Sequence, residues 1–481
     1  MTVTITMNKK FFVTTPIYYV NDKPHVGHAY TTLAADVLTR WHRERGDEVF
    51  FLTGTDEHGA KVAQAATVAG KPEQEFVDEK AAAFKEAWQK LNINYDNFLR
   101  TTDPVHVAAV KTATQYLYEK GFIYKGQYRG LYCQSCEQYK NPDDLINGKC
   151  PEHQVEPQLM KEESYFFKLS QFEKLLKEKI ESDELEIKPI ERKNEVFSFI
   201  SQGLKDISIS RETVSWGISL PFDKKYTLYV WIDAFLNYLT GLGWSGQAGQ
   251  PPKFFSPDVQ LMSKDILRVH ATIWPGLLLA LELPLPQKIF VHGYFTIDGQ
   301  KMSKSLGNVI WPEDLVVKFG RDGARYLLMS SLSYGQDGDI SWQRLAEKYN
   351  SDLANGLGNL VSRVMKLNEE FKINPSTRLR ARIKNLEKLF NEIKFKEILD
   401  EIWQEIAWAN RYIEEKKLWD LLKTDPEEGK KVLSELLSLI SEIAKVLSPF
   451  LPETSEKIFE QLTLRQDSGL TGKIKPLFPR I

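Results

Sequence analysis

FFVTTPIYYVNDKPHVGHAYTTLAAD, residues 11–36, changes its period half-way along. Its first ten residues are dense in β-branched and aromatic side chains and read as a strand. NDKPHVG (21–27) is a Pro/Gly loop. From His28 to Gly46 the apolar residues recur at helical spacing, and the glycine stops the helix. DEVFFLTGTDEHG (47–59) repeats strand and loop, and KVAQAATVAG (61–70) resumes helix. This alternation predicts a parallel α/β sheet with right-handed crossovers. Ligands of such sheets bind at the carboxyl ends of the strands, where PHVGH and GTDEHG fall.

The pattern can be followed outward. Residues 121–225 switch to short strands and turns and read as an insertion. YTLYVWI (226–232) reads as a strand that resumes the α/β pattern, followed by LMSKDILRVHATIWP (261–275), KIFVHGYF (288–295) and the glycine-bounded loop DGQKMSKSLGN (298–308). From about residue 340 the chain reads as amphipathic helices, and a helix bundle is predicted. A chain of 481 residues has room for two to four domains. It is 42% apolar, with no apolar run near the ~18 residues of a membrane span. MTVTITMNKK at the start has no continuous apolar signal segment, and three cysteines do not suggest a disulfide scaffold, so a cytoplasmic setting is expected. A net charge of −2 means that an acidic partner must meet a local basic surface.

Two motifs carry phosphate chemistry. Pro24-His25-Val26-Gly27-His28 places two imidazoles at a helix start, where unpaired N–H groups and the helix dipole suit a phosphate. Gly27 lacks a side chain, so a flat base can approach the backbone. Taken alone, the two histidines read equally well as capping or surface residues. Lys301 and Lys304 lie in KMSKS, flanked by Gly299 and Gly307, on a loop able to swing cations onto a polyphosphate. Taken alone, this is a solvated basic turn.

All three cysteines lie within residues 133–153. Cys133-x2-Cys136, thirteen residues, then Cys150-x2-His153 is a two-knuckle Cys3His pattern that suits tetrahedral Zn2+. A Cys133–Cys136 disulfide would leave Cys150 and His153 without a role. Four protein ligands fill the coordination sphere, so one structural ion is predicted, the alternative being a remnant without metal.

HVGH early, KMSKS some 275 residues later and an insertion between them resemble the class I aminoacyl-tRNA synthetases. FVTTPIYYVNDKPHVGHAYTTLAAD, FLTGTDEHG, YVWIDAFLNYL, KDILRVHATIWP and ANGLGNLVSR resemble the methionyl-tRNA synthetase family, in that family's order, from Phe11 to Ile481. The resemblance implies a Rossmann-type catalytic domain whose first half is 1–120. It implies a connective insertion at 121–225 with its zinc knuckle near 128–160, and the second catalytic half at 226–305. A KMSKS/stem-contact region at 306–349 and an α-helical anticodon-binding domain at 350–481 would complete the chain. It implies ATP-dependent ligation of L-methionine to tRNA(Met) through methionyl-adenylate, with Mg2+ accompanying ATP.

Carried over by position, His25, Gly27, His28, Lys301 and Lys304 would hold ATP and its departing pyrophosphate. Lys264 and Asp265 would lie near the nucleotide; the family commonly has Gly where this chain has Ser263, which would be strained if that position needs a positive φ. Ile17, Tyr19, Trp231, Ala234, Tyr238, Ile266, His270 and Trp274 would line the methionine pocket, with Asp56 pairing the α-ammonium. An unbranched thioether suits aromatic surroundings; core packing is the competing reading of each aromatic. Asn359 and Arg363 would read the anticodon and Trp419 would stack on one of its bases, against a helix-surface and a packing reading. TRLRARIKNLEK (377–388) is locally basic and can meet tRNA phosphate or face solvent. No oligonucleotide-binding-type domain is recognised after the helices; a monomer is the expectation, with weaker tRNA affinity unless a separate tRNA-binding protein helps. Two other readings remain open, a small-molecule nucleotidyltransferase with an HxGH loop and a non-catalytic RNA-binding relative of the synthetases.

Overall fold

A computed structural model describes residues 9–135, 138–140, 145–151, 153–212, 214–302, 307–375, 385–463 and 476–481. Packing divides the chain into two units. One is Met1–Lys23, Gly46–Glu86 and Tyr95–Val291; the other is Pro24–Arg45, Ala87–Asn94 and His292–Ile481.

The first unit is built on a six-stranded sheet. Strand β1 (Lys10–Tyr19) lies in its middle and pairs in parallel with β2 (Glu48–Asp56) on one side and Val259–Ser263 on the other. β3 (Asn97–Arg100) follows β2, while Lys288–His292 and Glu186–Lys188 complete the far side. Strand order therefore reverses at β1, the switch point of a Rossmann-type sheet. Phe12, Phe51 and Leu52 are fully buried at 0% exposure, the near-continuous apolar content expected of a sheet covered on both faces. Pro16 interrupts β1, and the register with β2 shifts between Thr14 and Ile17. Beyond that irregularity Ile17 lies beside Gly54 and Tyr19 beside Asp56. A Cβ on Gly54 would fall 2.0 Å from the Leu99 carbonyl oxygen, so only glycine permits β3 to approach there.

A second, antiparallel sheet in this unit joins Gln138–Lys140, Ile123–Cys133, Gln158–Phe167 and Ile207–Ser208. This is the sequence stretch expected to be an insertion. YTLYVWI does not enter the parallel sheet. Thr227–Leu228 pairs antiparallel with Ser210–Arg211, and Val230–Phe235 is helical. The run has strand-like composition, but the buried positions of a short helix need the same apolar side chains, and tertiary packing decides.

The second unit contains α1 (Val26–Glu44), which carries HVGH at its start. It also contains the hairpin Phe295–Ile297 and Gln300–Lys301, turned at Asp298 (φ 50°) and Gly299 (φ 76°), and helices from Pro312 onward. Trp342–Lys348, a π-helical stretch Tyr349–Gly358 and Asn359–Phe371 follow one another, then Phe395–Glu415, Leu418–Thr424, Pro426–Leu447 and Pro452–Thr463. Among the described residues no helix is long and apolar enough to cross a membrane.

Arg325 is the polar hub of this unit, at 0% exposure. It donates to the carbonyls of Phe450 (2.8 Å), Pro449 (2.8 Å) and Leu91 (3.0 Å) and lies 2.7 Å from Asp36 Oδ2 on α1. Asp36 also accepts from Arg40 Nε (2.8 Å) and from the Asn94 amide (2.9 Å). A buried pair of this kind contributes little over an apolar one, but deleting one partner strands the other charge. Asp36→Ala should therefore destabilise the second unit by about 3–5 kcal/mol. A lowered midpoint in denaturant titration, followed by a probe in this unit, checks it.

Candidate functional site

HVGH forms the cap of α1. His25 is the N-cap residue, and its Nδ1 accepts from the Gly27 amide at 3.0 Å. His28 Nδ1 accepts from the His25 amide at 3.2 Å. Each accepting Nδ1 puts the ring proton of a neutral imidazole on Nε2, so the opposite edge of each ring is a donor. The rings stack at 3.9 Å and 25°. Burial first, and the neighbouring His25 second, hold the His28 pKa well below its ordinary value, which keeps that ring neutral. A Cβ on Gly27 would come within 2.9 Å of the His25 ring. The glycine therefore makes room for the histidine that caps its own amide, a requirement the sequence reading did not anticipate.

The hairpin 295–301 leads into KMSKS and is anchored at its turn, where Asp339 accepts from the Gly299 amide (2.6 Å) and Thr296 Oγ1 (2.9 Å). Lys301 is described through its backbone, at the end of the hairpin; Lys304 lies outside the described residues. Past the loop, the Ile310 carbonyl accepts from the Val26 amide at 3.0 Å, tying the loop's exit to the start of α1 within the second unit.

In the first unit, the loop after β2 is held rigid by a buried carboxylate. Glu57, at 0% exposure, takes a bidentate hold from Arg100 (2.7 and 2.9 Å), with Thr55 Oγ1 at 2.6 Å and Thr102 Oγ1 also donating. Its amide donates to Thr101 Oγ1 at 2.9 Å, and its carbonyl accepts from Trp216 Nε1 at 2.6 Å. Asp56, 8% exposed, is fixed between this anchor and its register partner Tyr19.

The structure brings Trp231, Tyr238, His270 and Trp274 into one aromatic cluster. His270 lies edge-on to Trp231 at 6.4 Å, and Tyr238 and Trp274 are 5.4 Å apart. Phe235, which the sequence reading missed, sits among them at 4.9 Å from His270 and 5.9 Å from Trp274; its place one helical turn beyond Trp231 was the available signal. Ala234 is on the same short helix. Tyr238 and Trp274 are 1% and 0% exposed and belong to the core of this unit, whereas Ile17, Tyr19, Trp231 and Ile266 are half-buried. Trp274 Nε1 donates to Gln260 Oε1 (3.1 Å).

Lys264, Asp265 and Ile266 form a single turn after strand Val259–Ser263, at the switch point of the sheet. Ser263 there has φ −83°, an ordinary extended conformation, and its hydroxyl pairs with Asp265. The strain considered for a serine at this position is absent.

Cys133 ends a strand and Cys150 follows the turn Asn147-Gly148 (φ 53° and 76°). Cys133 Sγ, Cys150 Sγ and a His153 ring nitrogen lie within 4.8 Å of one another, and both sulfurs are fully buried. Cys136 lies outside the described residues.

Among the helices, Asn359 and Arg363 occupy one face of Asn359–Phe371, four residues apart. Asn359 Nδ2 donates to Asn410 Oδ1 (3.0 Å), and Arg363 pairs with Glu414 (2.8 Å). The Arg363 guanidinium lies 5.9 Å from the Trp419 ring, which is 38% exposed. Asn410 and Glu414 were missed: they are also four apart on Phe395–Glu415, and nothing local marks them as partners. Most of TRLRARIKNLEK lies outside the described residues.

A family model described as tRNA synthetases class I (M) matches residues 11–159 and 141–365, and one described as the anticodon binding domain of methionyl tRNA ligase matches 368–477. The chain is 42% identical to the methionine–tRNA ligase of Caldanaerobacter subterraneus, over 96% of this chain and 75% of that protein. It is 41% identical to that of Streptomyces coelicolor, over 96% and 91%. The solved Mycobacterium tuberculosis methionyl-tRNA synthetase in complex with methionyl-adenylate superposes with a TM-score of 0.91 at 33% identity, covering 98% of this chain and 100% of that one.

The His270 ring carries a pH prediction. Its Nδ1 lies 2.9 Å from the Ile266 carbonyl and its Nε2 2.9 Å from Tyr238 Oη, so Nδ1–H donates and Nε2 accepts. Burial, only partly offset by that carbonyl and by Asp265, brings its pKa from 6.5 to about 4. The unfolded chain therefore binds the proton more readily between those values, and stability should fall as pH drops through that window. His270→Gln should flatten this part of the acid limb, read as the change in unfolding midpoint between pH 7 and pH 5.

Proposed function

From the premise that the chain belongs to the class I tRNA synthetases of the methionyl type, we propose that it ligates L-methionine to tRNA(Met) at the expense of ATP. The carrying observation is the match of the two family models, over residues 11–365 and 368–477. In the first step the methionine carboxylate attacks the α-phosphorus of ATP and pyrophosphate leaves. In the second, a ribose hydroxyl of the tRNA 3′-terminal adenosine attacks the methionyl carbonyl and AMP leaves. No side-chain nucleophile is needed; positioning and charge stabilisation carry the rate.

The residue roles in this reading are those the family resemblance implies. His25 and His28 present Nε2–H donors to the phosphates. Gly27, Lys264 and Asp265 lie along the nucleotide, and Lys301 and Lys304 neutralise the leaving pyrophosphate. Mg2+ held by the phosphate oxygens would supply further charge neutralisation. Asp56 accepts the α-ammonium, and Ile17, Tyr19, Trp231, Ala234, Tyr238, Ile266, His270 and Trp274 surround the thioether. Asn359, Arg363 and Trp419 meet the anticodon. The exposed Trp419 edge beside a guanidinium suits base stacking, worth ~1–3 kcal/mol per base. A cytoplasmic setting and a division of the chain into a split catalytic domain, a connective insertion and an anticodon-binding bundle accompany this reading.

Methionine should stimulate ATP–pyrophosphate exchange by the purified chain, and no other proteinogenic amino acid should do so comparably; a different preferred amino acid would overturn the pocket assignment. Trp419→Ala should weaken tRNA charging about tenfold, a loss within the stacking range, while exchange stays near wild type. Equal loss in both assays would make Trp419 structural.

We propose one structural Zn2+ on Cys133, Cys136, Cys150 and His153. Two thiolates and an imidazole converging within 4.8 Å fit a zinc ion. Elemental analysis should find about one zinc per chain, as four-ligand sites of this kind bind one ion, and Cys150→Ser should lose it. Zinc-free protein purified without chelators would refute the site.

A further inference from the structure

One connected set of buried polar side chains in the first unit has no part in the chemistry above. Asp233 is 1% exposed, and each of its oxygens meets a different histidine: Oδ2 lies 2.7 Å from His58 Nδ1, and Oδ1 lies 2.7 Å from His106 Nε2. His106 is 0% exposed, and its Nδ1 lies 2.7 Å from Thr240 Oγ1. An ionised carboxylate only accepts, so His58 carries a proton on Nδ1 and His106 on Nε2, and the Thr240 hydroxyl donates to His106 Nδ1.

The placement of these groups is specific. His58 is two residues beyond Asp56, on the loop clamped through Glu57. Asp233 stands between Trp231 and Ala234 on the helix Val230–Phe235. Thr240 is two residues beyond Tyr238 on Asn237–Thr240. His106 belongs to Pro104–Glu119, a helix that carries none of the proposed pocket residues, and it bridges Asp233 and Thr240. The set therefore joins every segment from Asp56 to Tyr238 that supplies a wall or an anchor of the amino-acid pocket. Burial alone would raise the Asp233 pKa, but the charges and hydrogen bonds of His58 and His106 reverse this and bring it to about 2. Burial would likewise lower the His58 pKa, and Asp233, with Glu57 behind it, raises it instead. A buried carboxylate that loses such partners is strongly penalised, so the helix cannot drift from the loop while Asp233 stays charged.

We propose that His58, Asp233 and His106 are positioning residues that hold the ammonium acceptor Asp56 at a fixed offset from the Trp231–Ala234–Tyr238 wall, so that the site reads the length of its amino-acid side chain. An apolar pocket gains only about 1–3 kcal/mol per methylene. That margin is lost if the anchor and the wall can slide against each other, and the His–Asp–His tie prevents this. The inference rests on the proposed function, because it assigns the pocket to methionine.

The test compares His58→Ala and His58→Asn in ATP–pyrophosphate exchange with the full chain. His58→Ala should raise KM for methionine about tenfold, the loss of one hydrogen bond to a charged group, while KM for ATP and kcat change by less than about threefold. It should also narrow the preference for methionine over the shorter homocysteine and the longer ethionine. Asn places an amide N–H where the imidazole Nδ1–H stands, so His58→Asn should restore both the KM and the preference. The tie is refuted if His58→Ala leaves the KM and the preference unchanged. It is also refuted if both KM values rise and kcat falls together with the thermal midpoint, or if His58→Asn fails to rescue. If methionine does not stimulate exchange by the wild-type chain, the proposed function fails instead, and this inference falls with it.

Discussion

A carboxylate fully removed from water must be met by charge and hydrogen bonds, and Glu57, immediately after β2 and next to the proposed ammonium acceptor Asp56, is such a carboxylate. Arg100, Thr55 and Thr102 converge on it from three positions, and its own backbone is fixed by Thr101 and Trp216. With Glu57 locked, its two sequence neighbours have little freedom: Asp56 is held against β1, and His58 is turned toward Asp233. The four residues Asp56 to Gly59 thus combine an anchor, a proposed ligand group and a tie to a distant helix. Gly59, with φ 107°, lets the chain leave the sheet for the next helix.

The second unit meets the same constraint with the opposite sign of charge. Arg325 is fully buried, and four carbonyls and Asp36 satisfy its guanidinium. Because Asp36 lies on the helix that begins with HVGH, the hub orients the element that presents the two histidines. The planar five-donor fork can satisfy separate carbonyls at once, which a lysine ammonium on a flexible stem does less well.

Much of this was legible in the sequence because it is local. The strand, loop and helix of residues 11–46 follow from period and composition, and the convergence of Cys133, Cys150 and His153 follows from their spacing. The failures have long-range causes. YTLYVWI was read as a strand because its composition is strand-like, yet Asp233 must face His58 and His106 while Phe235 and Ile232 fill the core, and a helical turn meets those demands. Asn410 and Glu414 became visible only when two helices some fifty residues apart were laid side by side. Side-chain partners in pairs of that kind leave no mark in either local sequence.

The cap of α1 has one more implication. Each imidazole accepts a backbone hydrogen on one edge and offers a donor on the opposite edge, with a rigid ring setting the distance between them. No other natural side chain joins an acceptor and a donor across a rigid ring in this way. Asparagine can accept at the near position but does not reach the far one, while glutamine reaches but is flexible and leaves the helix end uncapped. The same two residues thus define where the helix begins and, under the proposed function, where the negative charge of a phosphate would be met, which would make local folding and phosphate recognition at this point one requirement.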